Sequence, residues 1–188
     1  LKWVNQFQFA GYYAALEKGF YKEAGLDVIL RPNGYNGSFV SPVDAVVSGD
    51  AQFGISNSGL VLDYLNGKPV VALAATLQHP AVSWLVLEKS GIRSIHDMVN
   101  KRLMTVFPLS ESLELLEPFR AEGIDPKKLN LTQTIFDLQP LIDGKIDAYD
   151  AYVTNEPFLL EQKGIPYHII DPRTYGIDFY GDVLFTSQ

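Results

Sequence analysis

The chain has 188 residues, of which 47% are hydrophobic, and a formal net charge of −7. That length holds one ordinary domain or two small lobes with a real core, so disorder is excluded as the default state. The negative charge argues against a nucleic-acid or anionic-membrane surface. The absence of cysteine excludes disulfides, thiolate nucleophiles and iron–sulfur ligation.

The first part of the chain predicts a β-α-β-α-β-α-β alternation. Tyr13, Leu16, Phe20 and Ala24 share one face of a predicted helix, which Gly25 ends. The apolar run PVVALAATL is typical of a parallel strand that is covered on both faces. The predicted strands are 1–4, 26–31, 51–55 and 69–77, the predicted helices are 11–24, 41–48 and 58–66, and 33–38 is predicted as a loop.

After the strand SWLVLEKS, which we interpret as the passage between lobes, the same alternation restarts. Ser94 and Asp97 are spaced as a capping box before a short helix. The resulting division is 1–86 for the first lobe, 87–174 for the second and 175–188 for a return segment toward the first. Strands are predicted at 102–106, 129–134, 146–153 and 167–170, and helices at 111–122, 138–142 and 157–163.

The two ends and the apolar runs of the chain predict a processed or excised soluble piece. The first residue is Leu1 and the opening residues lack the apolar core of a signal peptide. No apolar stretch approaches the roughly 20 residues needed to span a bilayer.

Ligands of open α/β sheets bind beyond the carboxyl ends of the strands, where loops lead into helices. The sequence places several polar or aromatic loops at such positions. The tail segment 175–182, which is rich in aromatic residues, fits either a pocket lid or a returning connection between lobes. The candidate loops are 6–12, 56–58, 78–79, 107–110 and 154–156.

The opening segment WVNQFQFAGYY mixes aromatic rings with amides. Trp3, Phe9 and Tyr12 can supply stacking area, and Gln6 can orient a ligand by hydrogen bonds. The alternative is that the rings simply fill the core. Both interpretations stay open for each ring.

Two further segments offer polar groups where helices are predicted to begin. Glu156 precedes Pro157 in the first turn of a helix, where the dipole is expected to keep a carboxylate ionised for a ligand ammonium or ring amino group. The alternative is a surface acid that stabilises its own helix by about 0.3–1 kcal/mol. Asn57 and Ser58 can hold an anion at backbone N–H groups, or simply cap a helix.

No catalytic signature of the HExxH, GxSxG, GxGxxG or P-loop type is present. His79 follows a predicted strand and is a candidate ligand contact, whereas His96 and His168 are expected to be structural. Asp147 and Asp150 are three apart on a predicted strand and therefore on opposite faces, which argues against a two-carboxylate site. The sequence predicts neither catalytic residues nor a metal site.

Five segments together resemble the NMT1/THI5-like family of thiamin-pyrimidine binding and synthesis proteins. They are WVNQFQFAGYYAALEKGFYKEAGLDV, AVVSGDAQFGIS, SGIRSIHDMVNKRLM, LIDGKIDAYDAYVTNEP and YGIDFYGDVLFTS. The resemblance implies the type II periplasmic-binding-protein fold, with the ligand in an interlobe cleft. It also implies an acid equivalent to Glu156 and an aromatic lining similar to Trp3, Phe9 and Tyr12.

Family members divide into binding proteins and fungal pyrimidine synthases that use pyridoxal phosphate on a lysine. This sequence departs from the synthase pattern, since Ser56 stands at the lysine position, Leu60 at that of the consumed histidine, and IDFYGDVLFTS replaces the cysteine-rich strip. Without that amine the Schiff base cannot form. A pyridoxal-phosphate-dependent synthase-like enzyme is kept as the alternative function.

The sequence therefore predicts a two-lobed α/β protein with mostly parallel sheets that is not an enzyme and holds no cofactor. It is expected to bind a pyrimidine or other nitrogenous compound as a periplasmic or extracellular solute-binding or sensor domain. The expected partner is an ABC permease or a fused kinase or cyclase module. The predicted ligand contacts are Trp3, Gln6, Phe9, Tyr12, Asn57, Ser58, Gln78, Tyr152, Asn155, Glu156 and Tyr180.

Overall fold

The computed structural model describes residues 1–34, 39–106 and 112–188. The chain divides into two compact units, the first comprising 1–76 with 182–188 and the second 77–181. The chain therefore leaves the first unit after Thr76 and returns to it at Asp182. The sequence analysis sets the outward boundary later, at 86/87. Of its predictions, the candidate loop 107–110, the start of the helix at 111 and most of the loop 33–38 lie outside the described residues.

The described residues contain the following elements, numbered in chain order. The helices are α1 (Ala10–Glu17), α2 (Phe20–Glu23), α3 (Pro42–Val47), α4 (Leu60–Leu65), α5 (Leu113–Ala121), α6 (Gln139–Ile142) and α7 (Glu156–Gln162). The strands are β1 (Gly54–Ser56), β2 (Val70–Ala75), β3 (Val82–Leu87), β4 (Arg102–Thr105), β5 (Asn130–Gln133), β6 (Ala148–Tyr152), β7 (Tyr167–Ile170) and β8 (Val183–Ser187). Short 3-10 turns lie at Phe7–Phe9, Glu88–Ser90, His96–Met98, Pro126–Lys128 and Pro172–Tyr175.

The first unit is built on a three-stranded sheet in the order β1-β8-β2. Both pairings are antiparallel. The side chains of α3 and α4 pack with those of β2 and β8 in one apolar cluster around the fully buried Phe185. Gly54 pairs with Phe185, and a Cβ at Gly54 would lie 2.4 Å from the ring, so only glycine fits there.

Two strands predicted near the start of the first unit, at 1–4 and 26–31, are not formed as strands. The two segments still lie side by side, because the Leu1 amine donates to Arg31 O at 2.7 Å and Asn33 N donates to Trp3 O at 2.9 Å. Ile29 is 80% exposed, so the alternation in LDVILR does not bury a face. Gly19 divides the predicted helix 11–24 into α1 and α2, because its φ of +78° interrupts the helical backbone.

β2 differs from the expected parallel, doubly covered strand. It pairs antiparallel with β8 at the edge of the sheet, and Val71 and Leu73 are exposed. An apolar run predicts burial but does not show which neighbours will supply it. The prediction of α3 is confirmed in detail, since Pro42 begins the helix and the Ser41 side chain caps it by accepting from Asp44 N at 3.2 Å.

The second unit is built on a five-stranded mixed sheet in the order β5-β4-β6-β3-β7. Alternate residues of β3 enter different apolar clusters, with Trp84 and Val86 on one face and Leu85 and Leu87 on the other. All four are at most 3% exposed. The strand period of two thus divides the core into two layers, one beneath α5 and the other beneath α6 and α7.

Strand direction is the main departure from the expected mostly parallel sheets. β4 runs parallel to β5 and β6, whereas β3 is antiparallel to both β6 and β7. Of the six pairings in the described ranges, four are antiparallel. The alternation of helices and strands predicts parallel neighbours only where each strand is followed by its own crossover helix. No helix within 1–34, 39–106 or 112–188 is long and apolar enough to cross a bilayer.

Candidate functional site

One edge of the second unit's sheet collects the loops that were predicted to bind ligand. β4, β5 and β6 are parallel, so their carboxyl ends meet at this edge. β3 is antiparallel to β6 and begins there, with Val82 opposite Tyr152. The loop at 78–79 and the loop at 154–156 therefore lie on the same side of this unit.

Glu156 is the first residue of α7, and its carboxylate turns back toward β6. Tyr152 N donates to Glu156 Oε2 at 2.8 Å, and Asn155 Nδ2 donates to Oε1 at 2.8 Å. Burial raises the pKa of Glu156, and these hydrogen bonds oppose the rise. At this helix start the dipole favours the ionised carboxylate, as the sequence analysis expects, and burial acts in the opposite direction.

Thr154 lies two residues before α7 and carries a polar atom that makes no hydrogen bond. Its Oγ1 is buried and has no hydrogen-bond partner. A buried hydroxyl without a partner destabilises a protein by about 1–3 kcal/mol, so such atoms are uncommon outside sites where a ligand or water completes them.

Asp150 lies deeper in the same unit, on β6. Its Oδ2 accepts from Thr105 Oγ1 at 2.7 Å and from Val106 N at 3.3 Å. The pKa of Asp150 is raised to about 6, chiefly by burial and also by the charges of Glu156 and Glu114, while the hydrogen bonds from Thr105 and Val106 oppose the rise. The expectation that Asp147 and Asp150 are separated is confirmed, because Asp147 instead pairs with Arg102 at 2.7 Å.

Phe136 follows β5 at the same edge and has a backbone φ of +57°. A bulky residue in this left-handed region is strained, and strain of this kind clusters at binding sites. The side chain is 52% exposed, and the Phe136 N–H donates to Thr134 Oγ1 at 3.1 Å. The surrounding loop thus presents an aromatic ring at the edge where Glu156 lies.

The first unit has a corresponding edge. Ser56 and Ala75 both pair with Val183, so the ends of β1 and β2 and the start of β8 lie together. Asp182 precedes β8 and is fully buried, and Lys2 Nζ approaches its Oδ1 at 2.6 Å. This ion pair holds the opening segment of the chain at the edge of the sheet.

Tyr12 reaches this edge from α1. Its hydroxyl is buried without a hydrogen-bond partner, beside the Thr76 hydroxyl and the charge of Asp182. Burial raises the pKa of Tyr12, and Thr76 opposes the rise in part. Gln8, which lies one turn earlier, also has a buried and unpartnered atom, its side-chain Oε1.

The remaining predicted ligand contacts differ in their burial and in their interactions. Trp3 packs against Phe39 with ring centroids 4.7 Å apart, and Phe9 is fully buried, which fits the core alternative. Asn57 Oδ1 accepts from Gly59 N at 2.8 Å in a local turn before α4, but the cap residue of α4 is Gly59, so the capping alternative for Asn57 is wrong. Gln6 is partly buried, Ser58 follows Asn57, and Gln78 and Tyr180 are exposed residues of the second unit.

The three histidines do not gather into one site. His79 Nδ1 lies 2.9 Å from Asp178 Oδ1, and His96 Nε2 lies 3.2 Å from Glu122 Oε2, both at exposed positions. His168 lies on β7. Within the described ranges, no group of three or more His, Asp or Glu side chains is arranged to hold a metal ion.

The structure brings together residues in each unit that sequence reasoning left out of the predicted contacts. Gln8 and Thr154 lie inside candidate loops, so their unpartnered atoms could have been suspected from position alone. The burial of Asp150 requires knowledge of its strand neighbours, and the positive φ of Phe136 leaves no signal in the sequence.

Comparison with known proteins assigns this arrangement to a family. Residues 6–188 match the family described as NMT1/THI5 like. Among curated proteins, the chain is 26% identical over 184 residues to a formylaminopyrimidine-binding protein of Halalkalibacterium halodurans, a match that covers 94% of this chain and 53% of that protein. The chain thus spans about half the length of this relative.

Solved structures show the same fold. The periplasmic aliphatic sulphonate binding protein SsuA from Escherichia coli has a TM-score of 0.68 at 17% identity, covering 96% of this chain and 57% of that one. An ABC uptake transporter substrate binding protein from Streptococcus pneumoniae with bound histidine has a TM-score of 0.62 at 17% identity, covering 94% and 70%. The predicted fold class, the α/β fold of type II periplasmic binding proteins, is confirmed.

Proposed function

The chain belongs to the NMT1/THI5-like family, and from that premise we propose that it binds a small nitrogenous compound, an aminopyrimidine first of all, as part of a solute-binding protein. No catalytic role is proposed. The relatives named above are binding proteins, and Ser56 occupies the position where a synthase needs its lysine.

The observation that carries this proposal is the location of unpartnered polar atoms. Gln8 Oε1 and Tyr12 Oη lie in the loop 6–12, and Thr154 Oγ1 lies in the loop 154–156. Both loops were predicted as ligand contacts from the position of strand ends. Leaving such an atom unpartnered destabilises the free protein by about 1–3 kcal/mol, and a polar ligand that pairs with any one of them removes that penalty.

The charges favour a nitrogenous ligand over an anionic one. Glu156 carries a partly buried carboxylate, and its charge is one of the causes that raise the pKa of Asp150. A ring amino group or an ammonium can donate to Glu156, whereas a sulphonate is repelled by it. The Halalkalibacterium relative is named for a formylaminopyrimidine, which has such nitrogen groups.

The proposed partner is an ABC permease, and the proposed location is periplasmic or extracellular. The named structural neighbours include a periplasmic protein and an ABC uptake component. The names of these relatives mention no kinase or cyclase, so a fused signalling module is not proposed.

The charge of Glu156 provides the test of the proposed function. In Glu156→Gln, the carboxylate that pairs with a ligand amino group becomes a neutral amide, and we expect affinity for the formylaminopyrimidine to fall at least about tenfold, or about 1.4 kcal/mol. Isothermal titration calorimetry measures it. Exposed Glu17→Gln is the matched control and should bind as the unaltered chain does.

Unchanged affinity in Glu156→Gln would remove this residue from the site. The synthase alternative is checked separately by incubation with pyridoxal phosphate. A new absorbing Schiff base that borohydride fixes to the chain would contradict the binding-protein proposal.

A further inference from the structure

Gln8 and Tyr12 are four residues apart in two consecutive helical segments of the first unit. Gln8 is in the 3-10 turn Phe7–Phe9 and Tyr12 is in α1, which follows it directly. Residues four apart in helical backbone are surface neighbours. Their side chains end in a buried amide oxygen and a buried hydroxyl, each without a hydrogen-bond partner.

The polar groups nearest to Tyr12 are already engaged with each other. Thr76 Oγ1 donates to Asp182 O at 3.0 Å, and the Asp182 carboxylate is paired with Lys2 Nζ at 2.6 Å. Thr76 lowers the pKa of Tyr12 in part, and the Tyr12 hydroxyl makes no hydrogen bond of good geometry within the described residues. Burial raises the pKa of Tyr12, so the hydroxyl keeps its proton at neutral pH.

The two unpartnered atoms determine which groups a ligand must carry to form a hydrogen bond with each of them. Gln8 Oε1 can only accept, so its partner must bring an N–H or O–H group. The Tyr12 hydroxyl can donate to an unprotonated ring nitrogen. A sulphonate offers acceptors alone and would leave Gln8 Oε1 unpaired, whereas an amino-substituted azine carries a donor and an acceptor on one edge.

We propose that Gln8 and Tyr12 form a specificity subsite of the first unit for the amino-substituted edge of a nitrogen heterocycle. The exocyclic amino group donates to Gln8 Oε1, and a ring nitrogen accepts from the Tyr12 hydroxyl. This subsite rests on the proposed function, because it presupposes that the chain binds a nitrogen heterocycle. Gln8 is thereby a ligand contact that the predicted set omits.

The experiment compares three probes on the 188-residue chain by isothermal titration calorimetry. They are 4-amino-2-methylpyrimidine, 2,4-dimethylpyrimidine, in which a methyl replaces the amino group, and ethanesulphonate. We expect the aminopyrimidine to bind at least about tenfold more tightly than the dimethyl analogue, because the latter leaves Gln8 Oε1 unpaired. Gln8→Met should abolish that preference, and Tyr12→Phe should weaken both pyrimidines, because both carry the ring nitrogen that accepts from the Tyr12 hydroxyl.

Gln52→Met is the matched control, since Gln52 is an exposed residue of the first unit. It should keep the preference for the amino compound. Gln8→Met has a second readout, because removing an unpaired buried acceptor should raise the thermal midpoint of the free chain. A side chain with a purely structural role would lower it.

The outcomes separate this subsite from the proposed function. If the aminopyrimidine binds and Gln8→Met keeps the preference, the subsite is wrong and the function stands. Equal or tighter binding of the dimethyl analogue or of ethanesulphonate also overturns the subsite while leaving a small-molecule binding function. Binding of none of the three probes overturns both.

Discussion

The two units bury their sheets to different extents. In the second unit, β3 is flanked by strands on both sides and covered on both faces, so that no side chain from Ser83 to Leu87 is more than 3% exposed. In the first unit, a three-stranded sheet has one apolar cluster, and its edge strand β2 exposes Val71 and Leu73. Buried apolar area is the main favourable term in folding, so the second unit should be the more stable one.

Matched truncations in the two cores test this difference most strongly. Phe119 and Phe185 are both fully buried, one in each unit. We expect Phe119→Ala to reduce the free energy of unfolding of the second unit by about 3–5 kcal/mol. Phe185→Ala should abolish the cooperative transition of the first unit, because its single cluster surrounds that ring.

The two tryptophans report the units separately in denaturant titrations. Trp3 belongs to the first unit and Trp84 to the second, so Trp84→Phe and Trp3→Phe backgrounds each leave one fluorescent reporter. The Trp3 signal should change at a lower denaturant concentration than the Trp84 signal. Coincident transitions in both backgrounds would show that the units unfold as one and would contradict the comparison.

The same contrast explains how far the sequence predicts the fold. β3, β4, β6, β7 and α5 are found close to their predicted positions, because in the second unit local pattern and tertiary burial agree. In the first unit, the patterns at 1–4 and 26–31 predict strands, yet the sheet there pairs β1 and β2 with β8, which lies at the far end of the chain. Pairing between such distant segments cannot be deduced from local periodicity.

The candidate site, like the fold, can be predicted from the sequence only in part. Strand-end reasoning identifies the loop that holds Glu156, because the carboxyl ends of the parallel strands β4, β5 and β6 meet at one edge. The loop with Tyr12 was predicted from the end of a strand at 1–4 that is not formed. Strand-end reasoning does not show that Phe9 is fully buried, since that depends on neighbours across the unit. Properties that depend on burial therefore cannot be predicted from the spacing of residues in the sequence alone.

The two units also differ in the hydrogen-bond and ion-pair partners of their buried carboxylates. Asp182 in the first unit is paired with Lys2, whereas the hydrogen bonds to Asp150 in the second come from neutral groups, Thr105 Oγ1 and Val106 N. Burial raises the pKa of Asp150 to about 6 from an ordinary 3.8. The folded state therefore binds this proton more tightly than the unfolded state does.

The sign of the pH dependence follows from that difference. The protonated Asp150 stabilises the fold below pH 4, and this contribution is lost as the pH rises through about 6. Asp150→Asn removes the titrating group, so relative to the unaltered chain it should gain roughly 1–3 kcal/mol at pH 7.5 and little at pH 4. Urea unfolding followed by Trp84 fluorescence at both pH values measures the gain.

Glu156 and Glu114 are the carboxylates that act on Asp150, and both are kept in this variant. Asp182→Asn is the comparison in the first unit. It leaves Lys2 buried without its anion and should destabilise that unit at pH 7.5. A loss of stability in Asp150→Asn at pH 7.5 would show that its hydrogen bonds outweigh the burial of its charge.

The smallest expected effect belongs to Thr154, the unpartnered hydroxyl of the second unit. Thr154→Val keeps the shape of the side chain and removes a buried oxygen that makes no hydrogen bond, so it should stabilise the free chain by about 1 kcal/mol. The thermal midpoint should then rise by a few degrees, while affinity for the aminopyrimidine should fall. Thr174→Val is the control in the same unit, because Thr174 Oγ1 donates to Asp171 O at 2.7 Å and its loss should not stabilise. A lower midpoint for Thr154→Val would show that its hydroxyl has a structural partner and would leave Gln8 and Tyr12 in the first unit as the unpartnered groups that a ligand completes.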